Sequence, residues 1–392
     1  MNNHQLHVLI AGGGVAALEA ALALRKLAEE RVRVELIAPE QDFAYRPLAV
    51  AEPFRVAEVR RFPLEPLVQA AGATLRQGAV ASVDPDRKVL RTADGEELSY
   101  DVLLLALGAR PCEAVPGALT FRGPEDTAAL GALLDDALHG DARRLAFAVP
   151  EAVSWPLPLY ELALLTWSHL IDRGAMGRKL VLVTPETAPL ALFGAAASAA
   201  VRELFAIRGI DLVLAKTPLR FDASMLRLAP EGRLAADRVV ALPRFEGARL
   251  AGVPHDARGF VPIDEHARVR GLDDVYAAGD LTSFPVKQGG IAAQQADAAA
   301  ASIAARAGAP VKPMPFEPVL RGQLLTGMFP RYLRSECGAG ATTVSTEPLW
   351  WPPAKIVGRH LAPFLAGRLG LPETSTPPAA GIPVDVTLGP GL

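Results

Sequence analysis

The stretch HVLIAGGGVAA at residues 7–17 decides the fold of this chain. An apolar run ends in three glycines, an Ala/Leu-rich stretch follows as far as Ala28, and a second apolar run covers residues 32–37. This order predicts strand, turn, helix and strand. A Gly-x-Gly-x-x-Ala pattern between a strand and a helix is the fingerprint of a dinucleotide-binding α/β unit.

Each small residue of the fingerprint has a physical role. Gly12 permits the tight turn, Gly14 lets the backbone approach a pyrophosphate, and Ala17 lets the helix pack closely on the strand. The helix N-terminus at Val15 and Ala16 faces the diphosphate, because its backbone N–H groups have no partner within the helix. We expect this loop to bind a dinucleotide, with a plain tight turn as the alternative.

The fingerprint also expects an acidic residue at the end of the second strand, where it holds the ribose hydroxyls. That position is Ala38 in this chain. Glu40 follows two residues later and is a candidate to reach the ribose. A solvated loop carboxylate is an equally good interpretation of Glu40.

Composition excludes several classes of protein. The 392 residues carry a formal net charge of −3 without a block of Lys and Arg, so we predict no nucleic-acid partner. The sequence shows no signal-peptide pattern, no apolar stretch long enough to span a bilayer and no metal-ligand cluster, which favours a cytoplasmic, metal-free protein. The mean hydropathy of +0.22 keeps open a peripheral position on the inner face of the membrane.

A second α/β unit follows the first. Apolar runs predict two strands and two helices there, at residues 145–149, 157–170, 180–184 and 194–207. Residues 274–280 then predict a short strand that precedes an alanine-rich helix at 291–305, in the style of the first unit.

Three further motifs follow the fingerprint. They are YDVLLLALGARP at residues 100–111, VYAAGD at 275–280 and PVKQGGIA at 285–292. Together they resemble the flavoproteins with two dinucleotide-binding domains, the pyridine nucleotide-disulfide oxidoreductase group, and within it sulfide:quinone oxidoreductases and type II NADH dehydrogenases. The resemblance covers most of residues 5–310, although Leu107 replaces the usual Thr.

The resemblance implies an α/β fold with two Rossmann-like dinucleotide-binding domains and a small C-terminal region. It implies FAD as the cofactor of a first domain at residues 1–125 and 250–309. Residues 126–249 would form a degenerate NAD(P)-binding-like domain. Residues 310–371 would form a C-terminal region at an interface or the membrane surface, and residues 372–392 a tail.

Several residues acquire a role from this resemblance. Asp280 would hydrogen-bond the ribityl chain, and Lys287 would be the cation at the flavin edge that becomes negative on reduction, with an exposed loop lysine as the alternative. Arg46 is a candidate contact to phosphate or flavin, or else a surface salt bridge, and Val80 matches a strand whose backbone holds the adenine. The other candidate FAD-binding residues are Ala106, Leu107, Gly108, Gly279, Gly290 and Ile291.

The loop at residues 150–161 has lost the features of a nicotinamide site. It contains no glycine, three prolines that remove N–H donors, and the bulky Trp155. Conventional NAD(P)H binding is therefore expected to be poor. From Ser154 to Glu161 the loop resembles the S-C-x-G-P-x-Y-E pattern of sulfide:quinone oxidoreductases, with Trp155 in place of their redox cysteine.

Glu161 and Lys287 are the candidate catalytic residues. In related flavoproteins the glutamate that opens this helix approaches the flavin and relays protons, and burial raises the pKa of such a carboxyl. A first-turn glutamate stabilised by the helix dipole is the alternative. Cys112 and Cys337 are expected to be ordinary thiols, because neither matches a redox position of the family.

Residues 354–369 alternate apolar and basic side chains at roughly helical spacing. In the quinone-reducing relatives a C-terminal amphipathic element lies on the membrane. Packing on the flavin domain or a dimer contact explains the same stripe, and packing is favoured because Pro363 shortens any helical anchor. A monomer or a homodimer is expected.

The resemblance therefore predicts an FAD-dependent oxidoreductase that moves two electrons through the flavin from a small-molecule donor to a quinone or another small acceptor, without the sulfide-oxidising cysteines. An NAD(P)H-dependent reductase that binds nicotinamide in an unusual way is the first alternative. A binding or assembly protein with structural FAD is the second.

Overall fold

The computed structural model describes residues 5–336 and 342–371. Its first unit contains, in chain order, β1 (Leu6–Ala11), α1 (Val15–Ala28), β2 (Val32–Ala38), β3 (Asp42–Ala44), β4 (Arg61–Pro63), α2 (Leu64–Ala70), β5 (Thr74–Gln77), β6 (Val80–Asp84), β7 (Val89–Thr92), β8 (Glu97–Ser99), β9 (Val102–Leu105) and β10 (Arg110–Cys112).

The second unit follows without returning to the first sheet. It contains β11 (Leu119–Thr120), α3 (Thr127–His139), β12 (Arg144–Ala148), α4 (Leu157–Asp172), β13 (Lys179–Val183), α5 (Ala195–Ile207), β14 (Asp211–Val213), β15 (Thr217–Asp222), β16 (Met225–Ala229), β17 (Arg233–Ala235), β18 (Arg238–Ala241) and β19 (Arg244–Glu246).

The chain then returns to the first unit with β20 (Val275–Ala277) and α6 (Gly289–Arg306). The C-terminal region adds β21 (Val319–Leu324), β22 (Arg331–Glu336), β23 (Thr342–Ser345) and α7 (Leu361–Arg368).

The first sheet has the order β20-β9-β1-β2-β5, and all its strands are parallel. Its central strand is β1, whose side chains alternate between two cores as the pleat requires. Val8 and Ile10 pack with α1 and α6, whereas Leu9 and Ala11 pack on the side of β6, β7 and β8. Both faces are covered, which explains the continuous apolar run at the start of the chain.

A second parallel sheet, in the order β11-β18-β12-β13-β14, confirms the second α/β unit. The predicted helices 157–170 and 291–305 correspond to α4 and α6. The C-terminal sheet β21-β22-β23 packs on the second unit, because Leu320, Leu324 and Leu333 join the same core as α4 and α5.

The C-terminal helix is shorter than the sequence pattern suggested. Helical structure begins only at Leu361, since Pro363 is tolerated in a first helical turn but not further inside a helix. The apolar residues Ile356, Leu361 and Leu365 are buried, so much of the predicted stripe packs inside the protein. The predicted tail at 372–392 lies outside the described residues, and so does Cys337.

Among the residues that the structure describes, no helix combines the length and the apolar character that crossing a membrane would require.

Candidate active site

The glycine loop lies at the carboxyl end of β1. Gly12 has a φ of +126°, and a Cβ at this position would lie 2.3 Å from the carbonyl oxygen of Ala106. Its N–H donates to the carbonyl of Ile37 over 2.8 Å, so the turn is held between β2 and the Ala106 carbonyl. Only glycine fits here. A Cβ on Gly14, in contrast, would meet no described atom within 4 Å and would point into open space.

The N-terminus of α1 faces that open space. Gly14 is its N-cap residue, no described side chain caps it, and its first turn holds no acidic residue. The first-turn N–H groups, beginning at Val15 and Ala16, are therefore available to an anion. Ala17 is fully buried under the helix and permits its close approach to β1. This arrangement fits a diphosphate, as the fingerprint predicted.

Glu40 lies at the rim of the same loop. Its Oε2 atom is 3.7 Å from the place where a Cβ on Gly13 would stand, and its carbonyl accepts a 3.3 Å hydrogen bond from Gln77 Nε2. The side chain is exposed. Its role toward a ribose stays a prediction.

Two further loops meet the glycine loop at this edge of the sheet. The N–H of Ala106 donates to the carbonyl of Ala11 over 2.7 Å, after which Leu107 is half-buried and Gly108 has a φ of +71°. A Cβ on Gly279, which follows β20, would lie 3.3 Å from the Cβ of Ala292.

Gly279 also lies against the first turn of α1. Its own Cβ would stand 3.5 Å from the Cβ of Ala16, and its N–H donates to Gln295 Oε1 over 2.8 Å. The structure thus brings the N-termini of α1 and α6 together around one glycine.

Asp280 and Lys287 form the charged part of the site. Burial raises the pKa of Asp280, and the nearby Lys287 opposes this shift. The ammonium of Lys287 donates to the carbonyls of Thr282 and Phe284 and lies 3.8 Å from the ring centroid of Phe260. Burial lowers the pKa of Lys287 to about 8. The lysine is thus half-buried rather than a free loop residue, and its ammonium contacts two carbonyls and an aromatic ring.

The N-terminus of α6 differs from that of α1 because it carries its own cap. Gln288 Oε1 accepts a 2.8 Å hydrogen bond from the N–H of Ile291, and Gln288 Nε2 donates to the carbonyl of Arg321 over 3.1 Å. A Cβ on Gly290 would lie 2.9 Å from Gln288 Oε1, so a side chain there would push this cap aside. Ile291 is buried.

Arg46 and Val80 lie at the edges of the first unit. The guanidinium of Arg46 forms an ion pair with Glu125 at 2.8 Å, and its side chain is 60% exposed. The arrangement is the surface salt bridge that the sequence offered as the alternative. Val80 is half-buried at the start of β6, opposite Thr92 of β7. The roles of both residues toward FAD stay predictions.

Glu161 is the fifth residue of α4 and is fully buried, so it is not the first-turn glutamate of the alternative interpretation. Its two carboxylate oxygens accept hydrogen bonds from Lys355 Nζ at 2.5 and 2.6 Å, and Oε1 also accepts the N–H of Leu325 at 2.8 Å. Burial raises the pKa of Glu161, while Lys355 opposes the shift. Burial likewise lowers the pKa of Lys355, whose side chain is only 7% exposed.

Lys355 is the residue that sequence reasoning missed. It was counted with the basic face of a predicted helix, whereas it turns inward and neutralises Glu161. The neighbouring Ile356 lies 3.1 Å from where a Cβ on Gly289 would stand, so the ion pair is next to the start of α6. A buried glutamate on an apolar helix requires a cation, and this requirement is the signal that could have prompted a search for Lys355.

A family model for pyridine nucleotide-disulphide oxidoreductases matches residues 6–142 and 169–302. The chain belongs to this family. Members of the family are FAD-binding flavoproteins. The open space at Gly14 and the uncapped N-terminus of α1 fit the diphosphate of that cofactor.

Named relatives agree with this assignment. The chain is 28% identical over 223 residues to the sulfide-quinone reductase of Aquifex aeolicus, across 53% of this chain and 50% of that protein. It thus spans about half the length of this relative. It is also 26% identical over 296 residues to an NADH dehydrogenase-like protein of Mycobacterium tuberculosis, across 70% of this chain and 72% of the relative.

Solved structures of oxidoreductases share the fold. The sulfide:quinone oxidoreductase of Aquifex aeolicus superposes with a TM-score of 0.77 at 20% identity, over 87% of each chain. The NDH2 of Plasmodium falciparum superposes with a TM-score of 0.58 at 16% identity, over 71% of this chain and 65% of that chain.

An alanine substitution is expected to have different effects at the two glycines of the loop. We expect Gly12→Ala to lower the free energy of unfolding by roughly 2–4 kcal/mol, because the methyl group meets the carbonyl of Ala106. Gly14→Ala is expected to change it by less than about 1 kcal/mol yet to weaken FAD retention, because the methyl group enters the space for the phosphate. Denaturant unfolding and flavin absorbance after gel filtration measure both effects. Full FAD retention by Gly14→Ala would contradict the assignment.

The buried ion pair predicts non-additive effects on stability. Lys355→Met should lower the free energy of unfolding by about 3–5 kcal/mol, because it leaves the Glu161 carboxyl uncompensated. Adding Glu161→Gln should recover part of this loss. Denaturant unfolding of the FAD-loaded protein tests this double-mutant cycle, with exposed Lys312→Met as control. Additive losses would show that the two residues are not coupled.

Proposed function

We propose that this oxidoreductase passes two electrons through FAD to a quinone or another small acceptor, and that it takes them from a donor other than NAD(P)H. The observation that carries the proposal is the loop between β12 and α4, whose contacts with other protein segments support the loss of a dinucleotide site there. The ring centroid of Trp155 lies 5.6 Å from that of Phe193, and Ser154 Oγ donates to the carbonyl of Pro285.

The helix that follows this loop is also a poor anion site. Pro156 is the N-cap residue of α4 and Pro158 is its second residue, so two N–H donors are missing where α1 offers them. The contrast with the N-terminus of α1 supports one intact dinucleotide site and one degenerate site.

The residue of the second unit that corresponds to the ribose-binding acid also argues against NAD(P)H binding. An acidic residue after the second strand of a Rossmann unit usually binds the ribose. Here Glu186, which follows β13, accepts hydrogen bonds from Tyr160 Oη at 2.7 Å, Thr184 Oγ1 at 3.0 Å and the N–H of Ala191 at 3.2 Å. Its acceptor capacity is largely used within the protein, which disfavours a nicotinamide dinucleotide here.

The cysteine chemistry of sulfide oxidation lacks support in the described part of the chain. Cys112 is the free cysteine there, and it lies in β10 opposite Arg244 of β19. Trp155 occupies the position of the family's loop cysteine. Thiol–disulfide exchange needs two positioned sulfurs, so we expect a donor other than sulfide.

We propose the following roles for FAD and for the residues of the site. When bound, FAD supplies the two-electron chemistry. The N-terminus of α1 holds the diphosphate, and Asp280 and Lys287 are proposed to face the ribityl chain and the ring. Reduction of a quinone consumes two protons, and the buried Glu161–Lys355 pair is proposed to relay one of them, because burial raises the pKa of the Glu161 carboxyl and lowers that of Lys355.

Anaerobic titration of the flavin tests the donor. We expect the flavin absorbance to persist with NADH, NADPH and sulfide, and we expect photoreduced flavin to be reoxidised rapidly by an added quinone. Rapid bleaching by a nicotinamide would contradict the proposed loss of the nicotinamide site at residues 150–161 and favour the NAD(P)H-dependent reductase. Failure of the quinone and of other small acceptors to reoxidise the flavin would favour a binding protein with structural FAD.

A comparison of two acceptors tests Glu161. Glu161→Gln should slow electron transfer from reduced flavin to a quinone by at least about tenfold, because general acid catalysis typically contributes this much or more. Transfer to ferricyanide, which takes single electrons without protons, should change little. Exposed Glu203→Gln is the control. Equal slowing with both acceptors would assign Glu161 a structural role only.

We also propose that the protein docks on the cytoplasmic face of a membrane, through the surface around the carboxyl end of α4. Five large apolar side chains there are 62–73% exposed: Val56, Met176, Ile207, Met328 and Phe329. Residues close in sequence to three of these side chains contact α4. Phe54 packs on His169, Arg208 lies over Trp167, and Ser168 Oγ donates to the carbonyl of Thr326.

Charge favours an anionic lipid surface as the partner. The guanidinium groups of Arg173 and Arg55 lie near His169, close to the end of α4. Their charges, together with burial, lower the pKa of His169. Arg208 and Arg331 lie close to one another beside Thr326. Asp135 and Asp172 are the acidic groups near His169, and the four arginines Arg55, Arg173, Arg208 and Arg331 outnumber them.

Co-sedimentation with vesicles tests this surface. The pair Met328→Ser and Phe329→Ser should reduce binding to phosphatidylglycerol vesicles at least fivefold, and binding should fall with salt. Met314→Ser, which removes an exposed methionine from the segment before β21, should have little effect. Unchanged binding of the double variant would contradict the proposal.

A further inference from the structure

A segment at residues 354–361, here called the strap, connects the C-terminal sheet to α7 and crosses the helices that frame the flavin site. Lys355 anchors one end through its ion pair with Glu161. The N–H of Ile356 donates to Tyr45 Oη over 2.8 Å, and the Ile356 side chain packs against Gly289 at the start of α6. The strap therefore covers the first turn of α6.

Glu19 anchors the other end of the strap. This residue of α1 is fully buried, and its carboxylate accepts the N–H groups of His360 at 2.8 Å and Leu361 at 2.7 Å. A side chain at residue 358 would displace the Glu19 carboxylate, because a Cβ there would lie 2.5 Å from Glu19 Oε2. Since no side chain at its own N-cap residue caps α7, Glu19 supplies that cap from another helix.

A second carboxyl group faces this anchor from α6. Asp297 lies close enough to Glu19 for the two carboxyl groups to share a hydrogen bond when one of them is protonated. Asp297 Oδ1 has no hydrogen-bond partner among the described residues, and the basic side chain that lies beside it is that of His360 at 3.7 Å. Burial and the charge of Glu19 raise the pKa of Asp297, and burial raises the pKa of Glu19. Two carboxyl groups in this contact therefore favour one shared proton over two negative charges.

Two cations, Lys26 and Arg359, and one histidine lie near the pair. His360 Nε2 is 3.7 Å from Asp297 Oδ1, but burial, Lys26 and Arg359 lower the pKa of His360 to about 4, so it is neutral at physiological pH. The charge of Arg359 opposes the shift at Asp297 without cancelling it. A fully ionised pair would place two negative charges in a buried contact.

We propose that the strap is a proton-dependent latch, closed over α1 and α6 while the Glu19–Asp297 pair holds a proton and released when the pair loses it. Release hydrates both carboxylates and frees the N–H groups of residues 360 and 361. It also exposes the first turn of α6. The latch depends on the packing of the strap and not on the identity of the electron donor or acceptor.

The direction of the effect follows from linkage. The closed state raises the pKa of Asp297, so closure binds a proton that the open state has lost at neutral pH. Closure is therefore most favourable at low pH and weakens as pH rises through the titration of the pair. Once the pair is ionised in the closed state as well, the equilibrium no longer changes with pH.

Hydrogen exchange of the FAD-loaded protein between pH 6 and pH 9 tests the latch. Protection factors of the amides at 359–365, corrected for the intrinsic pH dependence, should fall by up to about tenfold per pH unit below pH 8 and then level off. Asp297→Asn should abolish this dependence and keep the strap protected. The matched control Asp135→Asn removes an exposed carboxylate of α3 and should leave the dependence unchanged.

Two further variants test which groups cause the pH dependence. Glu19→Gln removes the other charge, retains an acceptor for the N–H groups, and should also abolish the pH dependence. His360→Gln should leave it intact, because this histidine is neutral throughout the range. A fall in protection that persists in Asp297→Asn and Glu19→Gln, or that appears equally in β1 and β12, would overturn the latch. Neither result bears on the electron donor.

Discussion

The close contact of α1 and α6 is the constraint on which the site depends. Gly279 lies between Ala16 and Ala292, and a side chain at 279 would separate the two helices. Small residues on both helices let their N-termini converge at the carboxyl edge of the first sheet. One N-terminus is open to an anion, while Gln288 caps the other. In the binding mode that we propose, this asymmetry would distinguish the diphosphate end of the site from the flavin end.

Three wholly or partly buried glutamates form hydrogen bonds that stabilise the structure around the α1–α6 contact and the second unit. Glu161 joins α4 to the strap through Lys355, Glu19 joins α1 to the start of α7, and Glu186 is held by Tyr160 within the second unit. Each carboxylate loses hydration on burial, so each must find a cation or several N–H and O–H donors. The partners of Glu161 and Glu19 come from a segment distant in sequence, so these two acids tie separate parts of the chain together, whereas Glu186 stabilises the second unit internally.

Much of the architecture was predictable because the apolar periodicity is local. The strand, turn and helix at residues 7–28 and the helices α4 and α6 follow from patterns a few residues long, and the structure confirms them. The C-terminal helix was predicted too long, since Lys355 and Ile356 have helical spacing but bond to Glu161 and Tyr45 instead. Spacing alone does not reveal a partner some two hundred residues away.

The sequence by itself determined the parallel α/β units, the glycine loop and the loss of glycine from the second loop, because each depends on contiguous residues and on backbone sterics. Only the tertiary structure decided that Lys355 neutralises Glu161, that Lys287 donates to two carbonyls, and that Glu19 and Asp297 share one buried site. Charge pairing in a protein interior depends on which segments the fold brings within a few ångströms, and that proximity is a property of the packed chain.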